Sequence, residues 1–83
     1  MTQNKKAVVY VKLKDGVLDP QGVTIQKALA QMGFNDFVSV RSGKFFELEF
    51  ASDAEGIDRK IQEVCSRLLA NPVIEKFEIE RGA

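Results

Sequence analysis

Cys65, the Gly43-Lys44 pair and the acidic runs Glu47/Glu49 and Glu75/Glu78/Glu80 are the residues whose type and spacing could do chemistry in this sequence. A lone cysteine suggests a thiol nucleophile, which needs a base beside it and an exposed, pKa-lowering setting at a turn or helix start. The chain has no histidine, the commonest general base and the commonest metal ligand. Cys65 also falls on the apolar stripe of a helical segment, where free cysteine usually fills a core. Gly43-Lys44 lacks the rest of a phosphate loop, because Val38 stands where the first glycine belongs and Phe45 where a Ser or Thr should follow the lysine. The carboxylates sit at alternate strand positions, the ordinary place for solvated charge. No catalytic, cofactor-binding or metal-ligating residue is expected.

The elements that would position such residues are short and regular. Ala7, Val9, Val11 and Leu13 alternate with Val8, Tyr10 and Lys12, which predicts a strand whose second face is partly covered. Asp15-Gly16 marks a turn. Asp19-Pro20 then offers an N-cap carboxylate and a proline suited to the first helical position, and Ile25, Ala28, Leu29 and Met32 form the apolar stripe of a helix stopped at Gly33. From Phe37 to Phe50 the even positions Val38, Val40, Phe46, Leu48 and Phe50 share a parity. Either Ser42-Gly43 turns a hairpin between two strands, or one long strand bends at Gly43.

Ser52 and Glu55 have capping-box spacing, and Ile57, Ile61, Val64, Cys65 and Leu68 continue a second helix that Asn71-Pro72 ends. Glu55/Arg59 and Glu63/Arg67 can pair on its solvent side. Val73–Glu80 reads as a last strand with Phe77 and Ile79 inward. The order β-α-β(β)-α-β, with one apolar stripe per helix, predicts an α+β two-layer sandwich. Two helices on one face of a mostly antiparallel sheet make it a variant of the ferredoxin-like folds. At 83 residues the chain is expected to be a single domain, with residues 1–6 a polar and frayed lead-in.

Twelve basic and twelve acidic residues cancel, so the basic excess of a phosphate-reading nucleic-acid binder is missing. Gly43 to Phe50 has the aromatics of an RNA-recognition strand, but its parity sends Glu47 and Glu49 to the open face, where they would repel a phosphate backbone. No apolar run approaches the ~20 residues that span a bilayer. A single cysteine and the lack of a secretory leader make the cytoplasm the expected compartment. The open face also collects Val8, Tyr10, Phe37, Phe45 and Ile74 among its charges, a mixed surface that points to an oligomer interface.

Three blocks then carry a resemblance: Val11-Lys12-Leu13-Lys14-Asp15-Gly16-Val17-Leu18-Asp19-Pro20-Gln21-Gly22, Val40-Arg41-Ser42-Gly43-Lys44, and Leu68-Leu69-Ala70-Asn71-Pro72-Val73-Ile74-Glu75. In this order and spacing they closely resemble the PurS family, the small subunit of phosphoribosylformylglycinamidine (FGAM) synthase, from about Lys6 to Glu80. The first block is the specific one. The resemblance implies a non-catalytic subunit that bridges an ATP-dependent ligase subunit and a glutaminase subunit, so that ammonia from glutamine converts FGAR to FGAM in purine biosynthesis. ATP and magnesium would then be used by the large subunit and no cofactor by this chain. A homo-oligomer, dimer or tetramer, is expected as well. Fold alone would equally suit a free-standing regulatory module that binds a small ligand. Tyr10, Gln21, Arg41, Lys44 and Phe45 are the candidates for subunit contacts.

Overall fold

The computed structural model describes residues 4–82. Its elements are β1 (Asn4–Leu13), α1 (Pro20–Gln31), β2 (Gly43–Ala51), α2 (Ile57–Val64) and β3 (Glu75–Arg81), with a π-helical turn, Cys65–Leu69, extending α2. β1 lies at the centre of a three-stranded sheet of order β2-β1-β3 and pairs antiparallel with both neighbours. The small side chains Ala7, Val9 and Val11 let α2 approach this central strand, and all three are buried. Phe46, Leu48 and Phe50 of β2 and Phe77 and Ile79 of β3 flank them at the same parity. The strand alternation in the sequence is therefore realised.

α2 covers that face with Ile57, Ile61, Cys65 and Leu69, each four residues after the last. A stripe at this spacing drifts by about 40° per step on a regular α-helix. The wider π turn, closed by the Ala70 N–H donating to the Cys65 carbonyl at 2.9 Å, compensates the drift and returns Leu69 and Ala70 to the core. Val64 and Leu68, expected on the inner stripe, are correspondingly exposed. The Ser52/Glu55 capping box does not form either. Turns occupy Ser52 to Gly56, and α2 starts at Ile57 after Gly56, whose φ of 62° serves as a left-handed N-cap without a side-chain hydrogen bond.

Two further expectations are corrected. Asn4–Lys6, read as frayed, pair with Glu49–Ala51, while residues 1–3 lie outside the described residues. Neither the hairpin nor the long bent strand forms over 37–50, because β2 begins only at Gly43, paired with Lys12 near the end of β1. No strand extends beyond that point to receive residues 37–42. The segment runs instead beside α1, where the Gln26 side-chain amide donates to the carbonyls of Phe37 and Val38.

α1 has its expected N-cap and its stop at Gly33 (φ 91°), yet it contributes no residue to the core. The expectation of both helices on one face is thus met by α2 alone within a single chain. Ile25 and Met32 of its stripe are exposed, Met32 by 69%. The longest dimension, 53 Å, is close to a ten-residue strand (~33 Å) and a twelve-residue helix (~18 Å) laid end to end. The radius of gyration is 16.8 Å, against about 12 Å for a compact chain of this length.

α1 crosses closely under residue 40. A Cβ built on Gly22 would lie 2.1 Å from the Val40 carbonyl oxygen. Gly22→Ala should therefore lower stability by about 1–3 kcal/mol through overpacking, where helix propensity alone would raise it. A higher thermal midpoint for this variant in circular dichroism would contradict the crossing.

Candidate functional site

The densest polar arrangement lies where β1, α1 and β2 meet. Asp19 caps α1, its carboxylate accepting the Gly22 N–H at 3.0 Å. The same carboxylate accepts the backbone N–H of Ser42 and its hydroxyl, the latter at 2.8 Å. Only 5% of Asp19 is exposed. The bonds from Ser42 and Gly22, and to a lesser degree the Arg41 charge, hold its pKa down at about 2 against the effect of desolvation. The Arg41 guanidinium donates to the carbonyls of Val17 (3.1 Å), Lys14 (3.2 Å) and Leu13 (3.3 Å), fastening the loop that leaves β1. Gly43 completes the joint, since a Cβ there would sit 2.7 Å from the Val11 carbonyl.

The five contact candidates are thus placed unequally. Arg41 belongs to this joint, so any substitution there acts first on the chain's own geometry. Lys44 lies 3.9 Å from Glu75 and above the Phe46 ring. Gln21 is exposed on the first turn of α1. Tyr10 and Phe45 are cross-strand partners on the uncovered face of the sheet, with ring centroids 6.3 Å apart, and the Tyr10 hydroxyl donates to Glu80 at 3.0 Å. That bond and the carboxylate's charge raise the Tyr10 pKa. Phe37 and Ile74 lie outside the strands. The sequence marked Asp19 only as a helix cap; its second role, receiving Ser42 from 23 residues away, leaves no local trace.

None of this arrangement is catalytic. Cys65 is fully buried in the core, and burial raises its thiol pKa, so it stays protonated and shielded. Gly43-Lys44 opens a strand instead of cradling an anion before a helix. Among the described residues no group of three or more His, Cys, Asp or Glu side chains could hold a metal ion, and no helix is long and apolar enough to cross a membrane.

A sheet covered on one side, an arm that reaches beyond it and a rigid joint between them define a small module organised for contact. The comparisons agree. The family model described as PurS: Phosphoribosylformylglycinamidine (FGAM) synthase matches residues 6–82. The phosphoribosylformylglycinamidine synthase subunit PurS of Bacillus subtilis is 45% identical over 75 residues, 90% of this chain and 89% of that protein. The PurS of Methanocaldococcus jannaschii is 43% identical, over 90% of this chain and 92% of that protein. The crystal structure of B. subtilis PurS superposes with a TM-score of 0.85 at 43% identity, covering 95% of this chain and 99% of that one. A chain in the structure of PurLQS from Thermotoga maritima gives 0.84 at 27% identity, over 96% and 99%. This chain belongs to the PurS family.

The Asp19 carboxylate gives the joint a pH signature. A carboxyl held at about 2 when folded, against 3.8 ordinarily, stabilises the fold above pH ~4, and that contribution is lost as pH falls toward 2. Asp19→Asn should lower the thermal midpoint at pH 7, and the gap to the parent chain should narrow between pH 4 and 2. A gap that stays constant through this range would show that Asp19 does not anchor the joint.

Proposed function

We propose that this chain is the small, non-catalytic subunit of FGAM synthase. It holds the ATP-dependent ligase subunit and the glutaminase subunit together, so that ammonia released from glutamine converts FGAR to FGAM in purine biosynthesis. The observation that carries this reading is a family chain whose buried thiol and missing histidine leave it nothing to react with, while its α1 arm presents apolar side chains to water. The relative in the T. maritima PurLQS structure supports an assembly of this kind. ATP and magnesium belong to the large subunit in this scheme, and the compartment is the cytoplasm.

Contact is a sufficient role here because ammonia escaping between two sites is diluted and largely protonated at neutral pH. Excluding water along the way preserves the nucleophile. In α1, Gln21 and the exposed Ile25 and Met32 offer one polar and two apolar anchors on a rigid element, the kind of group that dominates interface energies. The uncovered sheet face with Tyr10 and Phe45 is left for self-association into a dimer or tetramer.

The test is reconstitution. The large subunit, the glutaminase and this chain, given ATP, magnesium, FGAR and glutamine, should turn over only when all three proteins are present. A ligase and glutaminase pair fully active without this chain would overturn the reading and favour a separate regulatory module. Replacing both Ile25 and Met32 by Glu should weaken assembly by roughly 30-fold or more, the loss of about 2 kcal/mol at an anchor. Glutamine-dependent turnover should fall with it, while turnover fed by ammonium chloride is unchanged.

A further inference from the structure

The face of the sheet away from α2 has an ordered charge pattern. Its register places Glu47, Val8 and Glu80 side by side in one row across the three strands. The next row holds Phe45, Tyr10 and Glu78, and the one after it Gly43, Lys12 and Lys76. One end is thus acidic, reinforced by Glu49 beside Lys6, the middle is aromatic, and the other end is basic. This segregation occurs in a chain whose net charge is zero. Lys12 and Lys76 are direct cross-strand partners, a like-charged pairing that destabilises an isolated sheet. Lys76 has only the almost fully exposed Asp15 near it, at 3.6 Å.

We infer that this uncovered face is a self-complementary interface that takes a second copy of the chain with its strands reversed, the acidic end of each copy lying on the basic end of the other. The inference rests on the assembling role proposed above and names the surface used for self-association. Two kinds of two-fold axis can stack such a face on itself. An axis along the strands puts Glu47 and Glu80 over their own copies and Lys12 and Lys76 over theirs, and is repelled. An axis across the strands at the level of Tyr10 puts Glu80 over the second copy's Lys76 and Glu47 over its Gly43, with Lys12 alongside.

Gly43 has no side chain, and a concavity of about 560 Å³ lined by Tyr10, Lys12, Gly43, Phe45 and Lys76 lies there to receive the incoming carboxylate. The Tyr10 and Phe45 rings meet their counterparts at the axis, and apolar and aromatic residues near the centre of a charged rim are what a specific interface needs. Glu78, on an edge strand, is exposed and free to turn to solvent. Three strands about 5 Å apart and ~30 Å long give a footprint of only roughly 450 Å² per copy, so charge complementarity decides the pairing and salt weakens it.

A charge exchange tests the geometry. Lys12→Glu with Lys76→Glu makes both ends acidic, and Glu47→Lys with Glu80→Lys makes both basic. Each double variant alone should sediment at about half the parent's mass in 150 mM salt, with unchanged circular dichroism. An equimolar mixture should recover the parent's mass as a heterodimeric unit. Either variant keeping the parent's mass alone, a folded mixture failing to recover it, or a parent that is monomeric would each overturn the inference. Glutamine-dependent turnover in the three-protein mixture, measured alongside, separates the two readings. Lost self-association with retained turnover confirms this face and leaves the subunit role standing, whereas turnover that never required this chain refutes that role alone.

Discussion

The Asp19 carboxylate is the constraint on which the rest of this structure depends. It is nearly buried, yet it serves three donors from two segments: the Gly22 amide within α1, and the amide and hydroxyl of Ser42 just before β2. An ionised carboxylate with three donors retains its charge at low solvent exposure because the bonds replace its hydration. The joint works only because neighbouring backbones come close, and the glycines at 22 and 43 are what allow that approach to the Val40 and Val11 carbonyls. Arg41 closes the third side by binding three carbonyls of the loop leaving β1. Together these contacts set the direction of α1 relative to the sheet, and direction is what an arm is for.

With the arm fixed outward, the single chain is left incomplete. Its accessible surface is 6496 Å², while a compact 9.3 kDa protein exposes about 5,000 Å². The excess of roughly 1,500 Å² is of the size that specific protein interfaces bury. The hydrophobic core that does form is confined to one face of the sheet and α2, with Ile61 and Cys65 seated over Val9 and Val11. Such a core can hold three strands and one helix but cannot reach α1. The monomer is therefore built to be finished by other chains.

Local chemistry was legible in the sequence where the determinant and its effect lie within a few residues. Asp19-Pro20 started α1, Gly33 ended it, and strand alternation fixed which residues of β1, β2 and β3 face the core. Ser52 and Glu55 had the spacing of a capping box but not the result, because the chain spends those residues turning from β2 and α2 starts after Gly56. Val38 and Val40 carried a strand's parity without a strand to pair with, since β1 ends opposite Gly43. The buried stripe of α2 shifted from Leu68 to Leu69 through a π turn that periodicity at 3.6 residues does not anticipate. Of the contact candidates, Tyr10 and Phe45 could be placed on one face from parity alone. Arg41 could not be assigned, because its partners are carbonyls 24 to 28 residues away that only the fold brings together.

The stripe of α1 shows why sequence reading stops where it does. Ile25, Ala28, Leu29 and Met32 have the period of a helix that packs against something, and that period is identical whether the covering surface is the same chain or another. Intramolecular packing is the usual outcome because the local concentration of one's own sheet is high. Here the Asp19 joint removes that outcome by geometry, and what the stripe can bury must come from a partner. The same logic applies to the open sheet face, where Tyr10 and Phe45 sit between an acidic and a basic end. A surface meant only for solvent gains nothing from sorting its charges into opposite ends, since interspersed signs keep a small protein soluble equally well. Sorting has a physical consequence only when another sorted surface approaches. In a chain with no reactive group to position, the arrangement of contacts is the part of the sequence on which function acts.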